Sequence, residues 1–156
     1  MNLLIVAVGQ RMPRWVDDGY ADYAKRAPRK ARIELIEIRP APRGSSRTVA
    51  QLLASEAKGI EAALPRDCRR VALDERGRDV STAGLAKLAD GWLADGRDVA
   101  FLLGGADGLD RSLKASAELA LRLSSLTLPH GLVRILLAEQ LYRALSILDN
   151  HPYHRG

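Results

Sequence analysis

LSSLTLPHGLVRILLAEQLYRALSIL, residues 123–148, opens as a short strand or extended loop, breaks at Pro129, His130 and Gly131, and continues as one long apolar helix. Proline and glycine stop the extended run, and a helix restarts just behind them. On a helical wheel begun at Leu132, Glu139, Gln140, Arg143 and Ser146 share one side. Almost everything else is Leu, Ile, Val or Ala, and a helix with so narrow a polar stripe is buried. Arg134 breaks the pattern. It lies opposite the stripe, in line with Ala138, Leu141 and Leu145, near the positive end of the helix dipole where a cation is disfavoured. A charge on an apolar wall needs a partner or a task.

Working outward from this helix, strand patterns alternate with helix patterns. Residues 2–8 form a continuous apolar run ending at Gly9, the mark of a parallel strand covered on both faces. A helix follows from near Pro13, which a first turn accepts. Residues 32–38 alternate polar with apolar as a second strand, and residues 47–64 keep helical spacing through Val49, Leu52, Leu53, Ile60 and Leu64. Between them lies RPAPRGSSR (39–47), a loop that is either a plain linker or a basic arm for RNA. RVALD (70–74) is a third strand with a carboxylate at its end. Ser81 caps a helix whose core face is Leu85, Leu88, Ala89, Trp92 and Leu93, and Gly96 ends it. Residues 99–103 are a fully apolar fourth strand running into GGADG (104–108), and Asp110 caps a short helix to about Ala117. This alternation predicts an α/β protein with a mainly parallel sheet and helices on both faces, in one domain spanning residues 1–156.

Twenty-four Lys and Arg stand against 19 Asp and Glu, a net charge of +5. That balance permits a nucleic-acid partner without requiring one. Cys68 is the sole cysteine, which excludes an internal disulfide and a Cys-rich zinc site and fits a reducing cytoplasm. The apolar run at the start is too short for a membrane span and lacks a basic leader.

In open α/β sheets, ligands bind at the carboxyl ends of the strands. Three such ends carry the candidate chemistry: Leu73 with Asp74, Gly104 with Gly105, and residues 123–128. Glycine lets backbone come close to a ligand, although a tight strand-to-helix turn accounts for GGADG equally well. The loop is neither a dinucleotide fingerprint nor a P-loop. Arg11, Arg14, Lys25 and Arg26 interleave with Trp15, Tyr20 and Tyr23, a mixture suited to phosphate contact and base stacking. The same aromatics also suit the helix's core face, the preferred reading for Trp15. The tail NHPYHRG (150–156) packs two His, a Tyr and an Arg behind a buried helix, which anchors it and keeps it close to the pocket. With three histidines in all and no accompanying Cys or carboxylate cluster, no metal site is expected.

Taken together, residues 6–26, LIEI (35–38), LDERG (73–77), residues 95–109, residues 123–147 and NHPYHRG resemble the ribosomal RNA large subunit methyltransferase H family over essentially the whole chain. The resemblance implies a SPOUT-class enzyme with a deep C-terminal trefoil knot, acting as a cytoplasmic homodimer. Its implied activity is methylation of N3 of a pseudouridine in 23S rRNA, in a stem-loop at the subunit interface, with S-adenosyl-L-methionine as donor. Carried over by position, the cofactor pocket would be Leu73, Gly104, Leu123, Ser124, Ser125, Leu126, Thr127 and Leu128. Tyr153, His154 and Arg155 would serve catalysis and RNA, with Arg143 a further RNA contact. Departures are Gly156 and Ala106, the latter where the family commonly has proline.

A uracil-type N3 is a weak acid that must lose its proton as it attacks. His154 could accept that proton, or Arg155 or Arg134 could stabilise the charge developing on the ring. Two rival functions share parts of the pattern. A nucleotide-binding oxidoreductase should show the dinucleotide fingerprint, which is missing, and a non-catalytic ribosome-binding protein has no need of a glycine-lined pocket.

Overall fold

The computed structural model describes residues 1–44 and 46–155; Ser45, inside the Arg-rich loop, and Gly156, one of the two departures, lie outside the described residues. Five strands, β1 (Asn2–Val8), β2 (Arg32–Ile38), β3 (Arg69–Asp79), β4 (Val99–Leu103) and β5 (Leu119–Arg122), form one sheet in the order β2-β1-β4-β3-β5. Every pairing among them is parallel. The helices are α1 (Arg14–Ala24), α2 (Val49–Ala63), α3 (Thr82–Asp95), α4 (Arg111–Ser116) and α5 (His130–Leu148), with a 3-10 turn at Pro152–Arg155.

β4 throughout and β1 from Leu3 onward are apolar because both of their faces are covered. Along β1, Leu3, Ile5 and Ala7 pack with Leu85, Ala89, Trp92, Leu137 and Leu141 of α3 and α5. Leu4, Val6 and Val8 point the other way, into Ala57 and Ile60 of α2 and Leu113 of α4. The crossovers from β1 to β2 and from β3 to β4 step one way along the sheet, through α1 and α3 on the first face. Those from β2 to β3 and from β4 to β5 step back through α2 and α4 on the second. All four crossovers therefore share one hand, and α5 returns to the first face against α1 and α3.

Local chemistry fixes the helix ends. Thr48 and Gln51 make a reciprocal capping box, Ser81 accepts from Gly84 N–H at 3.0 Å, and Asp110 accepts from Ser112 N–H at 2.8 Å. Gly96 closes α3 at φ 83°, the left-handed region.

Several expectations need correction. α5 begins at His130, with Pro129 as its N-cap, so Gly131 sits inside the first turn. A Cβ on Gly131 would lie 2.9 Å from Val16 Cγ2, so this glycine serves the close approach of α1 to α5. Strand β3 runs past Asp74 to Asp79 because β5 pairs with both sides of a bulge, Leu73 and Arg78 each opposing Leu121. The last strand, β5, falls at Leu119–Arg122, ahead of the expected segment, and of the two readings of 123–128 the loop is the one that holds. Ser146 is buried, its hydroxyl donating to the Tyr142 carbonyl at 2.9 Å, and Val49 is exposed. The apolar surface of α5 is spent inside the chain. Leu137, Ala138, Leu141, Ala144 and Leu145 are at most 1% exposed, and of its large side chains only Leu136 faces outward.

Candidate functional site

Because all strands are parallel, the bulged stretch of β3 after Leu73 and the loops after β4 and β5 lie at one edge of the sheet. They enclose a cavity of about 860 Å³, within the range of small-molecule sites. Leu73, Gly104, Leu123, Ser124, Ser125, Leu126, Thr127 and Leu128 all line it. Leu103, Leu121 and Val133 add apolar wall, and Asp74, Lys114, Arg122 and His130 add polar groups. Sequence reasoning brought the first eight together and passed over most of the others. His130 was hidden in what read as a helix break. The strand-end rule, carried one residue beyond the 123–128 segment and Pro129, finds it.

The glycines play different parts from those anticipated. A Cβ on Gly104 would sit 2.2 Å from the carbonyl carbon and oxygen of Gly108 and 2.7 Å from Leu109 N. The chain's own turn thus demands this glycine. A Cβ on Gly105 would press on Val8 rather than on the cavity. The wall at 124–128 offers something else. None of its main-chain groups bonds to another main-chain group among the described residues, and only the Leu126 N–H has an internal partner, Ser124 Oγ at 2.9 Å. These donors and acceptors remain available to a ligand.

Much of the charge at the rim is paired. Asp74 accepts from Arg76 N–H at 3.1 Å and pairs with Lys114 at 3.1 Å, which together hold its carboxyl below the usual carboxylate range. Arg43 reaches from the Arg-rich loop to Asp107 at 2.5 Å, and Arg122 makes two bonds to Asp79 at 2.8 and 2.7 Å.

Arg134 has found its partners. Fully buried, it donates from Nη1 to Glu37 Oε2 at 2.7 Å and from Nη2 to the Gly9 carbonyl at 2.9 Å. Its Nε is without a bond. The pair ties α5 to the ends of β1 and β2, and His130 stands 3.4 Å from the same Nη2.

The tail lies elsewhere. Tyr153 donates to Glu139 Oε1 at 3.0 Å and packs on Tyr142 at 4.6 Å between ring centroids, while the Arg143 guanidinium covers it at 4.7 Å. Burial first, then the Glu139 carboxylate, pushes the Tyr153 phenol up to about 12. Glu139 is nine residues along α5 from His130, about 13 Å at 1.5 Å per residue. Asp149, next along the chain, pairs with Lys30 at the amino-end edge of the sheet. Anchoring therefore holds the tail away from its own chain's cavity, contrary to expectation, because α5 leads away from it. His154 and Arg155 are exposed.

Nor do the basic candidates form one patch. Arg11 and Arg14 are exposed at the start of α1, on the cavity edge, beside Trp15, which is 57% exposed and not in the core. Lys25 and Arg26 lie at the far end of α1 and share Asp22, at 3.0 and 2.8 Å. Tyr20 and Tyr23 pack against the core. Arg143 is held by Glu139 at 2.6 Å. Among the described residues, no group of three or more His, Cys, Asp or Glu is placed to hold a metal, and no helix is long and apolar enough to cross a membrane.

A one-handed parallel sheet whose carboxyl-end loops close on such a cavity defines a class, and residues 1–154 match the family described as predicted SPOUT methyltransferase. The chain belongs to the SPOUT methyltransferases, a membership that implies the knot in its C-terminal part. Its relatives are more particular. It is 64% identical over 155 residues to ribosomal RNA large subunit methyltransferase H of Ralstonia nicotianae, covering 99% of each chain. It is 62% identical over 156 residues to the protein of that name from Burkholderia thailandensis, covering 100% of each. In fold it is similar to the crystal structure of a probable methyltransferase from Bordetella pertussis, with a TM-score of 0.58 at 19% identity over 92% of this chain and 95% of that one.

Proposed function

We propose that the protein methylates N3 of a pseudouridine in 23S rRNA, using S-adenosyl-L-methionine, as a cytoplasmic homodimer in which residues 1–156 act as one unit. The observation that carries this reading is the cavity wall at 124–128, whose main-chain groups are almost all unbonded, in a cavity that also holds the apolar side chains of Leu73, Leu103, Leu121 and Val133. A flat adenine ring flanked by Leu73, Leu103, Leu123 and Leu128 is the kind of ligand such a wall reads. The full-length likeness to enzymes named for the large ribosomal RNA supplies the substrate class.

When bound, the cofactor supplies a methyl group already activated on sulfur. The protein's tasks are then alignment and removal of the ring proton. The ring nitrogen bonds the methyl and releases its proton, for which His154 is our candidate acceptor, with Arg155 countering charge on the ring. Tyr153, protonated at neutral pH, holds the tail through Glu139 instead of accepting a proton. Since the tail packs far from its own cavity, we assign it to the cavity of a second copy. Trp15, Leu126 and Leu136, the large apolar side chains exposed near α1, the loop and α5, supply the surface for that partner.

Calorimetric titration with S-adenosylmethionine and NAD, followed by mass spectrometry of rRNA from treated ribosomes, tests the chemistry. Binding of the first alone and the mass of one methyl group on a pseudouridine fragment are expected. NAD binding, or RNA binding without methylation, would overturn it. For the dimer, a chain ending at Asn150 is mixed with a Thr127→Trp chain, whose cavity is blocked. Activity should return on mixing, and a tail acting on its own cavity would leave both inactive.

A further inference from the structure

His130 lies where two parts of the structure meet. It is among the residues that line the cavity. Its Nε2 faces the buried guanidinium of Arg134 at 3.4 Å, beside Gly9 and the β1–α1 connection that bears Arg11 and leads into Arg14 and Trp15 of α1. Gly9, at φ 133°, is what allows this junction: a Cβ there would lie 3.1 Å from Arg134 Nη2 and 3.6 Å from His130 Nε2.

A guanidinium has donors only and never gives up its charge in a protein. One hydrogen of Nη2 goes to the Gly9 carbonyl, which leaves the other for His130. The nitrogen facing it must therefore be the acceptor of a neutral imidazole, and the ring's proton must reside on Nδ1. Burial and the Arg134 charge both hold the ring's pKa below its ordinary value, in agreement with a neutral ring. Arg134 is itself fixed by the partly exposed carboxylate of Glu37 on β2, and so the tautomer is set by a chain of bonds across three elements.

We propose that His130 is a catalytic residue that presents a single fixed N–H donor, from Nδ1, to a carbonyl oxygen beside the reacting nitrogen of a uracil-type base. The inference rests on the methyl-transfer reading above. A uracil-type N3 stands between two carbonyls, and the charge left by its proton spreads onto both oxygens. A donor fixed beforehand at one of them gains strength as that charge develops. Cytosine carries an amino group at one of the two positions, and a donor facing it finds no acceptor. The arrangement therefore selects a ring with a carbonyl there. The location supports the base as the occupant, for His130 also stands beside Gly9, where the β1–α1 connection carries Arg11.

Two measurements test this. Long-range proton–nitrogen correlation spectra of the ¹⁵N-labelled protein, with His130 identified against His151→Gln and His154→Gln, report the tautomer directly. A neutral ring protonated at Nδ1 throughout the neutral range is expected; a charged ring, or a proton on Nε2, overturns the proposal and leaves the methyl-transfer reading untouched. Single-turnover methylation is then compared for His130→Asn, His130→Gln and His130→Leu. The Asn amide places its N–H near the position of Nδ1, and should keep most of the rate. Leu, and Gln with its reach toward Nε2, should lose about 10²–10³-fold, with S-adenosylmethionine affinity within about threefold of wild type. Weakened cofactor binding with an unchanged rate at saturation would make His130 a cofactor contact and refute the proposal. A wild-type protein that methylates nothing would instead sink the reading beneath it.

Discussion

Replacing Gly104 by alanine adds one carbon in a place the chain already occupies. That carbon would lie 2.2 Å from the Gly108 carbonyl carbon and oxygen and 2.7 Å from Leu109 N. Ordinary carbon contacts begin near 3.5 Å, so the overlap exceeds about 1 Å. Its counterpart is backbone inside a tight turn between a buried strand and α4, which cannot swing aside as a side chain can. Overpacking of flexible cores costs about 1–3 kcal/mol, and this rigid case belongs at or above the upper end. For a chain of this size about 3 kcal/mol lowers the melting temperature by roughly 6–12 °C. Gly91→Ala is the matched control: it is exposed in the middle of α3 with nothing within 4 Å of the new carbon. There alanine should stabilise by about 0.5–1 kcal/mol. Calorimetric unfolding of the two variants beside wild type decides the matter, with S-adenosylmethionine titrated into each folded protein. A Gly104→Ala protein that melts with wild type but fails to bind cofactor would show that the glycine serves the ligand and not the turn.

Other expectations follow from the same coordinates. Glu37→Ala takes the charged partner from buried Arg134 and, because Glu37 is itself partly exposed, should cost about 1–3 kcal/mol by chemical denaturation, whereas exposed Arg14→Ala should change stability by less than about 0.5 kcal/mol. Truncation after Asn150 should spare S-adenosylmethionine binding and abolish methyl transfer, with His154→Ala alone lowering single-turnover rate about 10²–10⁴-fold if it takes the proton. Arg155→Ala should weaken RNA binding and flatten its dependence on salt, because one phosphate contact is gone. Asp74 titrates below its unfolded value, so the folded chain binds fewer protons there; its contribution is present above about pH 4 and is lost as pH falls through the depressed folded value. Asp74→Asn should therefore unfold with a flatter acid limb than wild type, and an unchanged limb would remove Asp74 from the account.

What the sequence disclosed depended on whether a signal was periodic or spatial. The apolar runs at residues 2–8 and 99–103 and the alternation at 32–38 are imposed by burial on two faces or one, and the strands occupy those residues. Caps were legible because Ser81, Asp110 and Gly96 act within a few residues of themselves. Gly104 was ambiguous for the opposite reason. A glycine's partner is whatever fills the space its missing Cβ leaves, and Gly108 stands there only once the turn is closed. Arg134 announced a problem that only the fold could solve, since Glu37 is 97 residues away. Trp15 read as core from its helical spacing, yet Val16 next to it turned inward. The tail's direction is a matter of where α5 leads, and composition carries no direction.

The placement of β1 has a bearing on synthesis. Of the five strands β1 is made first, and β2 pairs with it by residue 38, but its other neighbour is β4, which starts at residue 99. At about 5–20 residues per second the interval lasts roughly 3–12 s. Throughout it the nascent chain holds a fully apolar strand with one edge of hydrogen-bonding groups open, a shape that invites the wrong partner. Arg134 comes later still, and until it does the Glu37 carboxylate and the Gly9 carbonyl wait for the cation that will join them. Chaperone occupancy on stalled nascent chains should thus peak between these two lengths and fall once β4 has docked.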